Sequence, residues 1–195
     1  MDRVYQAIQV LKKGGVVAFP TDTVWGVLAL LENEEGVRRI YAMKGREEQK
    51  PLQVLVADLE AALSLAELGP LEKPFLRLAK AFWPGGLTLV VPGRKIPPYI
   101  SKDGSVGLRM PDHEALREVL RGVGGYAAAT SLNKSGEPPV QSEEEARAFP
   151  VDYVFPGKAL GVASSVLDLR TGEVLREGAI PRAALLAALN PDPLA

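Results

Sequence analysis

The sequence predicts an α/β or α+β protein: a twisted mixed β-sheet with flanking helices. Three observations carry that expectation. Apolar strand-like runs and amphipathic helical patterns alternate along the chain, but irregularly. Several strand-like runs follow one another with no helix between them, which argues against a regular doubly wound parallel sheet. The 19 Gly and 16 Pro supply many tight turns. With 195 residues and no linker of biased composition, one compact domain spanning 1–195 is expected.

The elements follow in order. Asp2 caps a first helix that carries Val4, Ile8 and Leu11 on one face and stops at Gly14-Gly15. Val16–Phe19 reads as a buried strand ended by Pro20. A helix over Glu34–Met43 turns Val37, Ile40 and Tyr41 inward. Leu52–Val56 is a strand, followed by an Asp58-capped helix with Leu59, Leu63 and Ala66. Pro74–Phe82 is helical and ends at Trp83-Pro84-Gly85-Gly86. Leu87–Val91 and Val106–Arg109 are strand-like, and Asp112 or His113 starts a helix through Leu116, Val119 and Leu120. Tyr126–Thr130 and Ser165–Leu169 read as strands, Glu143–Phe149 as a short helix. Pro181 suits the first turn of a last helix over Arg182–Leu189.

Composition excludes whole classes of chemistry. The absence of Cys removes disulfide scaffolds, zinc ribbons, thiol nucleophiles and iron–sulfur ligation. A single His leaves no His-rich metal site and speaks against a His-centred triad. With 23 Lys+Arg against 24 Asp+Glu, nothing draws the whole molecule to nucleic acid or to an anionic membrane. Any anion-binding role must come from a local cluster. No run reaches the roughly 18 apolar residues of a membrane span. The N-terminus lacks a charged-then-apolar leader, so a cytoplasmic protein is expected.

Common motifs fail on context. No Walker A pattern is present. Gly122–Ala127 fits G-x-G-x-x-A but follows a helix rather than a strand. Ser131–Lys134 fits S-x-x-K without its companion elements, and His113-Glu114 lacks the second His of a zincin.

Four segments remain, each with two readings. Pro20-Thr21-Asp22-Thr23-Val24-Trp25-Gly26 sets hydroxyls and a carboxylate at a strand end, where α/β sites form; a ligand-free Asx or ST turn accounts for it equally well. Residues 38–50 hold five basic and two acidic side chains, and Lys44 and Arg46, two apart, could grip a polyphosphate as point charge and fork. Cations at a helix C-terminus explain Lys44 as readily. Arg109, ending an apolar strand, needs an anionic partner, either a ligand carboxylate or a structural ion pair. Ala129–Gly136 gathers small hydroxyls and an amide at another strand end, for a ribose, base or phosphate, or simply for a turn.

Taken together, these segments resemble the threonylcarbamoyl-AMP synthase family, the YrdC/Sua5/TsaC proteins of tRNA modification. The resemblance runs over roughly residues 3–180, in short motifs met in order. They are Phe19–Gly26, Tyr41–Arg46, Lys50–Leu52, Trp83–Thr88, Val106–Pro111, Thr130–Gly136, Ser164–Leu169 and Leu175–Gly178. Each is weak alone, and the ordered set is specific. The chain ends soon after the last one and so looks like the short single-domain form.

The resemblance implies a YrdC/RibB-like fold around a basic cavity. It implies a nucleotidyltransferase that makes threonylcarbamoyl-AMP and pyrophosphate from L-threonine, bicarbonate and ATP. The product feeds tRNA N6-threonylcarbamoyladenosine formation through a separate transferase. Carried over by position, Lys44 and Arg46 hold ATP phosphates and act in catalysis. Lys50, Ser105, Ser131, Asn133, Ser164 and Arg176 contact nucleotide. Arg109 clamps the threonine carboxylate, Thr23 contacts threonine, and Trp25 walls the pocket. Mg²⁺ is expected mainly on the ATP phosphates, with Asp22 a candidate to help hold it. Trp25 in place of the usual Tyr, Leu132 in place of Ala, Pro139 where Ser is frequent and Glu47 after Arg46 are departures from the family pattern. A non-catalytic RNA-binding module of the same fold is the alternative.

Overall fold

The computed structural model describes residues 2–45 and 51–191. Its sheet holds nine strands among these residues: β1 (Val17–Pro20), β2 (Trp25–Ala29), β3 (Gln53–Val56), β4 (Leu87–Pro92), β5 (Ser105–Arg109), β6 (Tyr126–Ser131), β7 (Tyr153–Val154), β8 (Ser165–Asp168) and β9 (Glu173–Arg176). The order across the sheet is β7-β1-β2-β6-β3-β5-β4-β8-β9. Pairing is mixed: β1/β7, β3/β5 and β4/β8 run parallel, and the other neighbours run antiparallel.

The helices are α1 (Arg3–Lys12), α2 (Glu34–Lys44), α3 (Leu59–Leu65), α4 (Glu72–Phe82), α5 (Glu114–Gly122), α6 (Glu143–Arg147) and α7 (Arg182–Leu189). Their starts follow capping chemistry. Side chains of Asp2, Asn33, Asp58, His113 and Ser142 each accept a backbone N–H of the first turn. Helix α2 ends at Gly45, whose φ of 63° is the left-handed conformation that glycine adopts without steric cost.

The strand period of two divides the interior. One sheet face carries Trp25, Val27, Ala29, Val54, Val56, Leu87, Leu89, Val91, Val106 and Leu108 into a large core. There α2, α4 and α7 add Val37, Ile40, Phe75, Leu78 and Leu185. The opposite face carries Val17, Phe19, Leu28, Leu55, Ala127 and Ala129. Helices α1 and α5 cover it with Ala7, Leu11, Leu116, Val119 and Leu120. Their strand contacts lie on β1, β3 and β6. Over β5, β4 and β8 the same face is left open, and a cavity lies there.

Three strands escape the sequence pattern. β2 merges with the polar turn before it, β7 is two residues long, and β9 alternates one buried residue with exposed ones. The other elements lie where the periodicity places them. α4 starts two residues earlier than expected, out of a 3-10 turn at Gly69–Leu71. No described helix is long and apolar enough to cross a membrane.

Candidate active site

The open half of the sheet holds a cavity of about 480 Å³, within the range of small-molecule sites. Its floor is the cavity-facing set of alternate residues: Gln53 and Leu55 on β3, Thr88 and Val90 on β4, Gly107 and Arg109 on β5, and Ala129 and Ser131 on β6. Thr21, Thr23, Asn133, Ser164 and Arg176 supply polar walls. Among the described residues that line it, two are cationic and none is anionic.

Arg109, 1% exposed, anchors one end. Its Nη1 donates to Asp22 Oδ1 at 2.9 Å, Asp22 Oδ2 at 3.1 Å and the Gly85 carbonyl at 3.2 Å. Its Nη2 donates to Thr23 Oγ1 at 3.2 Å. Nη2 keeps one further N–H, and Nε is buried without a partner. Hydroxyl directions follow from these bonds. Thr21 Oγ1 donates to the Val24 carbonyl at 2.7 Å, so Thr23 Oγ1 is the donor in their 3.0 Å contact. Thr23 therefore faces the cavity as an acceptor.

Arg176 stands on another wall. Nε donates to the Ser164 carbonyl at 2.8 Å and Nη2 to Ser164 Oγ at 3.1 Å. It has no carboxylate partner among the described residues. Burial pushes its pKa below the ordinary arginine value, and the charge of Arg109 pushes the same way. An anion in the cavity would relieve both effects.

Ser105 sits at the far end of β5, its Oγ donating to Asp103 Oδ1 at 2.6 Å. Asp103 also accepts from the Ser105 N–H, Ser101 Oγ and Arg170. The Ser105 bonds above all hold its carboxyl well below the usual carboxylate range.

Lys44, 3% exposed, does not line the cavity. Its Nζ donates to the Ser131 carbonyl at 2.6 Å and to Asn133 Oδ1 at 2.8 Å. Ser131 Oγ donates to the same Oδ1 at 2.6 Å, and Asn133 Nδ2 donates to the Lys134 and Glu137 carbonyls. Lys44 thus shapes the Ser131–Glu137 loop from behind.

The structure brings Thr23, Ser105, Arg109, Ser131, Asn133, Ser164 and Arg176 to one cavity. Arg46 and Lys50 lie outside the described residues. Trp25 is a correction: it is fully buried on the core face of β2, and Val24 and Gly26 stand at the cavity instead. The period of the strand turns an odd-numbered β2 side chain away from the site. Trp25 borders a second, smaller cavity of about 350 Å³, which shares Val24 and Pro139 with the first. Asp22 is a poor Mg²⁺ ligand here. Both its oxygens serve Arg109, and Oδ2 also accepts the Asp112 N–H at 3.0 Å. With no carboxylate in the described wall, the cavity offers no protein cage for a Mg²⁺ ion. Gln53 and Thr88 escape prediction as site residues; the lone polar residue in the apolar run 52–56 is the one signal for Gln53.

The class this defines is a mixed α/β protein whose sheet carries, on its uncovered face, a cavity lined among the described residues by two arginines and no carboxylate. Residues 9–178 match the Sua5/YciO/YrdC family, described as telomere recombination, and the chain belongs to that family. It is 35% identical to the threonylcarbamoyl-AMP synthase of Bacillus subtilis over 97% of this chain and 57% of that protein. It is 34% identical to the Chromohalobacter salexigens protein of the same name, over 90% of this chain and 97% of that one. The crystal structure of Pyrococcus abyssi Sua5 with L-threonine superposes with a TM-score of 0.85 at 33% identity, covering 96% of this chain and 58% of that one. The chain therefore spans little more than half the length of the longer relatives and nearly all of the shorter one.

Proposed function

We propose that this chain is an L-threonylcarbamoyladenylate synthase, a nucleotidyltransferase that consumes L-threonine, bicarbonate and ATP and releases pyrophosphate. The observation that carries the reading is the placement of Thr23 and Arg109 at one end of a cationic cavity with Ser105, Ser164 and Arg176 around the rest. The names of the similar synthases and the threonine-bound Sua5 support it.

The chemistry asks for positioning and charge stabilisation rather than a protein nucleophile. Arg109 offers its remaining Nη2 N–H to the threonine carboxylate. Thr23 Oγ1, an acceptor, receives an N–H of the threonine amine and so orients it toward bicarbonate. The amine and bicarbonate give a carbamate and water. A carbamate oxygen then attacks the α-phosphorus of ATP, and the bond to the leaving pyrophosphate breaks. Arg176, without a counter-charge, stabilises the negative charge spread over the phosphates. Arg46 and Lys50 add to that grip as the family resemblance implies, and Lys44 acts through the loop carrying Ser131 and Asn133. Mg²⁺ enters with ATP.

In this reading the protein works in the cytoplasm, and its product passes to a separate transferase acting on tRNA. An RNA-binding module draws no support from a cavity of small-molecule size. The test is pyrophosphate release by purified protein supplied with Mg²⁺-ATP. Release that requires both threonine and bicarbonate supports the reading; release indifferent to either refutes it.

A further inference from the structure

Three strands of the cavity floor are tied by one directional hydrogen-bond chain. Arg176 Nη2 can only donate, and it donates to Ser164 Oγ at 3.1 Å. Thr88 Oγ1 donates its single proton to Gln53 Oε1 at 3.0 Å. In the 3.0 Å contact between Ser164 and Thr88, Ser164 must then be the donor. The chain runs Arg176 to Ser164 to Thr88 to Gln53, and it ends on the carboxamide oxygen.

The last link crosses a strand. Gln53 is on β3 and Thr88 on β4, and β5 lies between them. The intervening residue is Gly107, paired with Gln53 on one side and Val90 on the other. A Cβ on residue 107 would lie 3.2 Å from Thr88 Cγ2 and 3.9 Å from Gln53 Cβ. The missing side chain leaves the crossing point uncrowded, so the two polar groups meet above the middle of the sheet.

With its oxygen held by Thr88, the Gln53 carboxamide has two N–H donors on Nε2, and they have no partner among the described residues. Gln53 lines the cavity from β3, beside Gly107, which lies midway along β5 between Arg109 and Ser105. The half-way group in the proposed substrates, between the threonine carboxylate and the nucleotide, is the bicarbonate-derived carbamate.

We propose that Gln53 is a ligand-contacting residue that donates from Nε2 to the oxygens of bicarbonate and of the carbamate made from it, with Thr88 and Ser164 fixing its amide orientation. This inference rests on the synthase reading. The polarity matters: a donor pair there favours an oxyanion and leaves the neighbouring amine to Thr23. An amide also adds no charge to compete with the arginines for the phosphates.

Gln53→Glu is the test, because it keeps an acceptor for Thr88 while it exchanges the two donors for a negatively charged acceptor. The inference expects the KM for bicarbonate to rise at least tenfold and by a larger factor than the KM for ATP, and the melting temperature to hold. A bicarbonate KM within twofold of the parent overturns the role of Gln53 and leaves the synthase reading standing. Parent protein that shows no threonine- and bicarbonate-dependent turnover overturns both. A second measurement needs no variant turnover. In the parent, the Gln53 side-chain amide resonances should shift when bicarbonate is added to protein already saturated with threonine and a non-hydrolysable ATP analogue. Resonances unmoved by bicarbonate contradict the contact.

Discussion

Arg109 and Asp22 form a buried ion pair at 2.9 Å, with side-chain exposures of 2% and 9%. The pair joins the end of β5 to the turn after β1, and Thr23 and Gly85 complete the ring around the guanidinium. Of the two readings of Arg109 open from the sequence, the pair supplies the structural one. The arginine has a carboxylate partner, and it also lines the cavity.

Asp22→Asn should therefore cost stability as well as substrate. Removing one partner of a buried pair leaves the other charge uncompensated, at about 3–5 kcal/mol. Urea denaturation should show the loss, and pairing Asp22→Asn with Arg109→Met should recover part of it.

Arg176→Ala should separate binding from folding. The variant loses charge-assisted contacts of about 1.5–3 kcal/mol, so the KM for ATP should rise about tenfold or more. No carboxylate loses a partner, so steady-state kinetics should change far more than the melting temperature. An unchanged KM would remove Arg176 from the nucleotide site.

Lys44→Met should behave differently. It removes the charged donor from the Ser131 carbonyl and from Asn133 Oδ1, which keeps the Ser131 hydroxyl, at about 1.5–3 kcal/mol for hydrogen bonds to a charged group. Melting temperature and ATP affinity should fall together. A loss of turnover with full thermal stability would instead indicate a direct contact with phosphate.

Gly107→Ala should displace Thr88 from Gln53 by crowding the crossing point. Bicarbonate affinity should drop in this variant as in Gln53→Glu, with threonine affinity less affected. Titration calorimetry with threonine and kinetics in bicarbonate distinguish the two effects.

His113 gives the fold an acid sensitivity. Its Nδ1 accepts the Leu116 N–H at 3.2 Å to cap α5, and its ring meets Phe19 edge-on at 5.2 Å. Burial pulls its pKa below the ordinary 6.5, against the opposing charges of Asp22 and Asp112. The unfolded chain then binds the proton more readily, so this stability is complete above about pH 6.5 and falls away as the pH drops through that value. Thermal melts between pH 7.5 and 5 should show the decline. His113→Asn, a capping residue that does not titrate there, should flatten it.

Much of the fold was legible because its signals are local. Asp2, Asp58 and the apolar spacing of α1, α3 and α5 mark helices by capping and period. β2 was not, since its first residues read as a continuation of the polar turn and its pairing with β1 is a tertiary fact. The cluster residues Thr23, Arg109 and Ser131 stood out as polar groups at strand ends. The face each occupies did not, and Trp25 was expected at the cavity only as the family resemblance implies. Gln53 and Gly107 carried no local signal of partnership, because their meeting with Thr88 depends on the non-sequential strand order β3-β5-β4.

The central claim is that one cavity joins threonine, bicarbonate and ATP, and ¹³C-bicarbonate tests it most directly. Protein incubated with labelled bicarbonate, threonine and Mg²⁺-ATP should yield a product that contains threonine, AMP and a single ¹³C atom by mass spectrometry. AMP or a threonyl adenylate formed without the labelled carbon would contradict the account.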